Sequence, residues 1–212
     1  MEQAIYIVFS STPTGMGRLI RVMTRNPYNH VSLSLSEDIK TLYSFARHYR
    51  RIPLYGGFVE ESILRYRSLS RDATVKICRI PMEERQFTYL KNYIDWLWND
   101  RANYIYNTPG AMFSLLHQRA AIPKAHTCAS FINKVLSRYH LAGVTERDAP
   151  TIRALERKLA PYVVYEGSAA PLAAYGEWGK DEFPLETSRR YAIYKTAYHF
   201  GRLAKRVLLE VL

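Results

Sequence analysis

Two residue types in this chain could together carry out nucleophilic catalysis, and the first is a cysteine. Cys128 lies in "AIPKAHTCASF", at the first turn of a predicted helix with Thr127 as its N-cap. The start of a helix presents unpaired backbone N–H groups and a partial positive charge, and this setting favours a thiolate over a thiol. We therefore predict that Cys128 is a nucleophile. Cys78 lies within the apolar run "VKICRI" and is predicted to be a buried, inert thiol.

A cysteine nucleophile needs a base that pairs with the thiolate and later protonates the leaving group. His30 is the preferred candidate because it begins "HVSLSLS", where apolar and polar residues alternate as in a half-buried β-strand. His126 is the rival, since it is only two residues from Cys128, although a contact with the sulfur would need an unusual loop geometry. The other histidines are predicted to lie on the surface: His48, His117, His140 and His199.

The composition limits the class of protein and its partners. The chain has 212 residues, of which 48% are hydrophobic and 13% aromatic, as expected for a packed globular domain. Two cysteines imply no disulfide framework, and the start "MEQAIYIVFSS" lacks a signal-like pattern, so a cytoplasmic location is predicted. The net charge of +11 favours polyanionic partners, and a solvated basic surface is an equally good interpretation. However, no motif for a metal, a cofactor or nucleic acid is present, and none of these is predicted as a partner.

The pattern of elements predicts an α+β fold with a mainly antiparallel sheet. Predicted strands cover residues 4–11, 30–36, 41–47, 74–80 and 162–167. Predicted helices cover residues 17–25, 81–100, 126–140, 151–159 and 186–212. Residues 51–62, "RIPLYGGFVEES", are predicted to form a loop because proline and two glycines interrupt any regular period.

The order of these pieces resembles that of a known family. The runs "SSTPTGMGRLIRVMTRNPYNHVSLSL", "LYSFAR", "GGFVEES", "TCASFINKVL" and "VVYEG" are together similar to the circularly permuted NlpC-type papain-like amidases, and most to an uncharacterised bacterial branch of them. Permuted members place the histidine strand before the cysteine helix, as this chain does. The resemblance implies a papain-like catalytic domain over residues 1–167. Residues 168–212 would add a connecting wrap and a basic amphipathic helix.

The resemblance also implies roles for individual residues. Cys128 becomes the nucleophile, His30 the general base, and Ser44 in "LYSF" the polar group that orients the imidazole. Permuted relatives often have an acidic or amide residue at the third position, so a serine would hold His30 less strongly. Glu37 and Ser32 are alternatives for this role, and an ordinary strand hydroxyl is an equally good interpretation of Ser44.

A tyrosine near the cysteine helix is implied as well. "YIYNTPG" matches the segment whose tyrosine lines the oxyanion site in related amidases, which makes Tyr104 and Tyr106 candidates, with Tyr106 preferred. The chain has 17 tyrosines, so a core or surface position remains an alternative for either one. The backbone N–H of Cys128 would be the second oxyanion donor.

The function expected from these residues is a cysteine-dependent hydrolase, an amidase or peptidase, that acts on a peptide or small acyl-amide through a thioacyl intermediate. One alternative is a thiol acyltransferase on lipids, because a basic amphipathic C-terminal helix can lie on an anionic membrane surface. Such helices more often pack on their own domain or a partner subunit. The other alternative is a non-catalytic binding module with the papain-like fold. No residue pattern indicates an oligomeric state.

Overall fold

A curled, mixed sheet of eight strands is the centre of the fold. The computed structural model describes residues 3–12, 21–22, 26–66, 73–113 and 122–211. The strands are β1 (Gln3–Ser10), β2 (His30–Ser34), β3 (Thr41–Arg47), β4 (Gly56–Ser62), β5 (Thr74–Met82), β6 (Ile105–Tyr106), β7 (Ala125–His126) and β8 (Val163–Ser168). Their order across the sheet is β7-β6-β4-β3-β2-β1-β5-β8. Neighbours are antiparallel except β6 and β7, which are parallel.

Six α-helices accompany the sheet within the described ranges. They are α1 (Glu84–Asn99), α2 (Thr108–Phe113), α3 (Cys128–Arg138), α4 (Ile152–Leu159), α5 (Ala170–Ala173) and α6 (Arg189–Val211). The predicted α+β class is confirmed. None of these helices combines the length and apolar character needed to cross a membrane. Of the helix predicted over 17–25, only residues 21 and 22 are described, and both are helical.

Both faces of the central strands are covered. On one face, α3 packs on β2 and β3, and apolar residues such as Val31, Leu33 and Phe131 form the larger core cluster. On the other face, Leu42 and Tyr66 belong to a second cluster. β2 is therefore buried on both faces rather than half-buried, and its serines lie inside the protein. A polar side chain in such a strand must find an internal hydrogen-bond partner.

Two of the predicted assignments of residues to elements were wrong. The segment predicted as a loop contains β4, which lies between β3 and β6. Its glycines serve close packing, because a Cβ on Gly57 would lie 2.6 Å from the carbonyl oxygen of Tyr104. Pro81 does not open α1 but pairs with Ala4 inside the sheet, and the helix begins at Glu84.

The last quarter of the chain returns to the sheet. Residues 169–188 contain the short helix α5 and place Asp181 and Phe183 in buried positions. α6 then packs along β6 and β7, where Leu203 joins an apolar cluster with Ile105 and Ala125. The C-terminal helix therefore packs on its own domain with one side.

Candidate active site

Cys128 is the first residue of α3, and the local sequence fixes this start. The side-chain oxygen of Thr127 accepts a hydrogen bond from the backbone N–H of Ser130 at 3.0 Å, and the Ser130 hydroxyl accepts one from the backbone N–H of Thr127 at 2.9 Å. This reciprocal capping box confirms the predicted N-cap. Cys128 itself is 5% exposed. Its sulfur therefore lies at a rigid helix N-terminus.

His30 joins Cys128 to a carboxylate. The imidazole lies near enough to Cys128 for that thiol to raise its pKa, and its Nε2 lies 2.9 Å and 3.1 Å from the two carboxylate oxygens of Glu61. Because Nε2 contacts Glu61, Nδ1 is the ring nitrogen available to another partner. The His30 side chain retains 12% exposure, whereas that of Glu61 has none. The three groups form a cysteine–histidine–carboxylate chain.

Glu61 is surrounded by donors. The Ser44 hydroxyl donates to Oε1, and the Tyr66 hydroxyl donates to Oε2 at 3.1 Å. Ser32 donates to Oε2 at 3.4 Å, and the guanidinium of Arg65 lies 3.9 Å from Oε1. A buried carboxylate is costly unless it is paired and hydrogen-bonded. These contacts satisfy that requirement.

Arg65 is in turn held from the far end of the chain. Its Nε and Nη2 each lie 2.6 Å from an oxygen of Asp181, which forms a bidentate pair. Asp181 also accepts from the backbone N–H groups of Ser62 and Phe183, both at 2.9 Å. The segment after β8 thus completes the charge network beneath the site.

The charges of the His30–Glu61 pair follow from these contacts. Burial acts to lower the pKa of His30, but the charge of Glu61 and the hydrogen bonds with Cys128 and Glu61 outweigh it and raise this pKa to about 10. Burial acts to raise the pKa of Glu61, but His30 and Arg65 outweigh it and lower this pKa to about 2. At neutral pH the pair is an imidazolium and a carboxylate.

The third residue of the predicted site therefore differs from the expectation. Ser44 is buried and bonds Glu61 rather than His30. Ser32 lies 3.1 Å from His30 Nε2, while Glu37 is exposed in a turn. The sequence does not predict Glu61 at this site, because "GGFVEES" has the composition of a loop although it forms β4. As a strand, this segment pairs with β3 and brings the carboxylate of Glu61 beside it.

Of the two tyrosine candidates, Tyr106 is the one near the sulfur. Burial raises the pKa of the Tyr106 hydroxyl, and the neighbouring charge of Cys128 adds to this effect, so the phenol stays protonated. Tyr104 is instead a core residue whose ring lies edge-on to Phe45 at 6.1 Å. Tyr106 is therefore a protonated phenol in the neighbourhood of Cys128.

His126 is not placed as a base. Its ring lies 5.0 Å from that of Phe45 and stacks on Tyr104 at 6.4 Å. Burial is the largest cause that lowers the pKa of His126, to about 4, so the ring is neutral. Its surroundings are aromatic, and the structure describes no carboxylate against it.

The other histidines and Cys78 differ in how deeply they are buried. His199 is fully buried and His48 packs on Tyr55, so the surface prediction was wrong for His199 and incomplete for His48. His140 is exposed as predicted, and His117 lies outside the described residues. Cys78 is buried as predicted, and burial raises its pKa to about 12.

Within the described ranges, no group of three His, Cys, Asp or Glu side chains is arranged to hold a metal ion. The arrangement that is present, a thiol at a helix start with an imidazolium and a protonated phenol, is suited to acyl transfer. No protein-family model, curated protein or solved structure matches this chain.

Proposed function

We propose that this chain is a cysteine-dependent hydrolase that cleaves an amide or related acyl bond. The observation that carries the proposal is the position of His30, which contacts Cys128 on one side and the buried Glu61 on the other. Nucleophile, base and orienting group in hydrogen-bond reach are the signature of an activated nucleophile. Cys128 is the nucleophile, His30 the acid and base, and Glu61 the positioning carboxylate.

The reaction follows from this geometry. The Cys128 thiolate attacks the carbonyl carbon, and the resulting oxyanion accepts hydrogen bonds from the backbone N–H of Cys128 and the Tyr106 hydroxyl. His30 gives its proton to the leaving nitrogen as the C–N bond breaks, which leaves a thioester on Cys128 and a neutral imidazole. Water then loses a proton to His30, attacks the thioester, and the thiolate departs.

The proposal includes a permuted papain-like architecture. Its support is the chain order, in which the strand with His30 precedes β4 with Glu61, and the helix with Cys128 comes last. A peptide or small acyl-amide is the proposed substrate class, and a cytoplasmic location fits the two free cysteines. The presence of all three groups, Cys128, His30 and Glu61, favours a catalytic role over that of a binding module.

A second candidate, a thiol acyltransferase on lipids, is favoured by one observation. On the outer side of α6, Ile193 is 71% and Leu208 is 63% exposed. Against it, Arg202 and Arg206 donate to backbone carbonyls of the domain and are not free to meet lipid headgroups. Sedimentation with vesicles of phosphatidylcholine and phosphatidylserine distinguishes the lipid acyltransferase from the hydrolase. The experiment compares the full chain with residues 1–185. Loss of binding on truncation supports the lipid candidate.

The test of the hydrolase uses two probes. Iodoacetamide at neutral pH should alkylate Cys128 well before Cys78, as measured by peptide mass spectrometry, because Cys78 is buried and protonated. The wild-type chain should release p-nitrophenol from p-nitrophenyl acetate with a burst of one equivalent, and Cys128→Ala should abolish it. Equal labelling of both thiols, or a burst that survives Cys128→Ala, would refute the assignment.

A further inference from the structure

α6 contacts both short strands next to the candidate site. Leu203 is 3% exposed and packs with Ile105 of β6, Ala125 of β7, and Ile122 just before β7. β6 and β7 have only two residues each, and strands this short are marginal without further packing. Their positions therefore depend on the helix.

Arg206 holds the chain just before each of these strands. Its Nη1 donates to the carbonyls of Pro123 at 3.0 Å and Lys124 at 2.8 Å, and its Nη2 donates to Asn103 at 2.6 Å. The Lys124 carbonyl also accepts from the backbone N–H of Ile105 at 3.1 Å. One guanidinium thus ties the entrance of β6 to the entrance of β7.

The backbone conformation of Lys124 needs support from contacts such as that with Arg206. Its φ of 51° lies in the left-handed region, which a non-glycine residue seldom occupies. Surrounding contacts must hold a residue in that conformation. The hydrogen bond from Arg206 to its carbonyl is one of them.

His199 contacts the other end of β6. It is fully buried, its Nε2 lies 3.4 Å from the Thr108 hydroxyl, and the nearby backbone of Tyr106 acts to raise its pKa. Tyr106 ends β6, and β7 ends two residues before Cys128. α6 therefore touches the chain on both sides of the tyrosine and just upstream of the cysteine.

We propose that α6 is a positioning clamp that sets Tyr106 against the start of the Cys128 helix, with Arg206 as its main positioning residue. The proposal rests on the proposed function for the role of Tyr106. Oxyanion donors act only when they are held at hydrogen-bond distance from the developing charge, and small displacements cost large factors in rate. The clamp supplies this rigidity without touching the substrate.

The experiment compares Arg206→Met with Lys205→Met in the full chain. Both variants remove one positive charge from α6, but Lys205 is exposed and donates no hydrogen bond in the described structure. With p-nitrophenyl acetate, Arg206→Met should lower kcat about tenfold and leave KM within twofold. Lys205→Met should leave both unchanged, and Arg206→Lys should recover part of the loss.

Two further readouts separate the clamp from a general loss of structure. Arg206→Met should speed hydrogen exchange in residues 104–107 and 122–127, while the pH midpoint of Cys128 alkylation stays at the wild-type value because His30 and Glu61 are untouched. If kcat and exchange match those of Lys205→Met, or if the alkylation midpoint shifts with kcat, the clamp is refuted. Esterase activity that survives Cys128→Ala would refute the proposed hydrolase function but not the clamp. The hydrogen exchange of residues 104–107 and 122–127 would still test the clamp.

Discussion

His30 and His126 are both partly buried histidines, one close to Cys128 in space and the other close to it in sequence, and their charges differ. His30 faces the Glu61 carboxylate, which raises its pKa to about 10, whereas His126 lies among Phe45 and Tyr104 and burial lowers its pKa to about 4. Burial acts in the same direction on both. The carboxylate therefore decides which ring is an acid at neutral pH.

The largest effect on the difference between the two histidines is expected for the substitution Glu61→Gln. It removes the negative charge that keeps His30 protonated, while the amide retains the shape of the side chain. We expect kcat/KM for p-nitrophenyl acetate to fall about 10³-fold, in line with losses seen when a triad carboxylate is neutralised. Steady-state kinetics measure it, with circular dichroism as the control for folding. A loss under tenfold would mean that Glu61 does not orient the imidazole.

The second largest effect is expected in the pH profile of the proposed activity of the wild-type chain. The pKa of His30 is raised, so the imidazolium form is fully populated at neutral pH. Its population falls as the pH rises through about 10. We expect kcat to fall about tenfold per pH unit above that value, because the leaving group then lacks a proton donor. A stopped-flow pH-jump series avoids alkaline denaturation. A basic limb near pH 6.5 would contradict the raised pKa.

Ser44→Ala should give a smaller effect. The hydroxyl donates to Glu61, so its removal leaves one carboxylate lone pair unsatisfied and costs about 1–3 kcal/mol in the free energy of unfolding. We expect kcat/KM to drop about fivefold and the basic limb of the pH profile to stay near that of the wild type. Urea unfolding and kinetics test the two parts. A loss as large as that of Glu61→Gln would instead make Ser44 the orienting residue.

The smallest effect is expected for His126→Phe. The neutral ring packs between aromatic neighbours, and a phenyl ring fills nearly the same space. Activity and its pH dependence should stay within about twofold of wild type, because conservative swaps in a core cost little. A shifted pH limb in this variant would show that His126 takes part in proton transfer.

Sequence patterns predict the pairing of Cys128 with His30 but not the Glu61 carboxylate that keeps His30 protonated. The capping motif placed Cys128 at a helix start, and alternation placed His30 on a strand, because both signals are local. Glu61 was missed because two glycines suggested a loop, whereas the close approach of Tyr104 requires one of them within a strand. The burial of His199 was also missed, since it depends on how a distant helix packs.

The Arg65–Asp181 pair has a consequence for biosynthesis. Translation delivers His30, Glu61 and Arg65 first, then Cys128, and Asp181 only much later. Domains fold from the N-terminus as the chain emerges, yet the bidentate Arg65–Asp181 pair can form only after residue 181 has left the ribosome. The order of synthesis thus delays the completion of the charge network beneath the candidate site until most of the chain has been made.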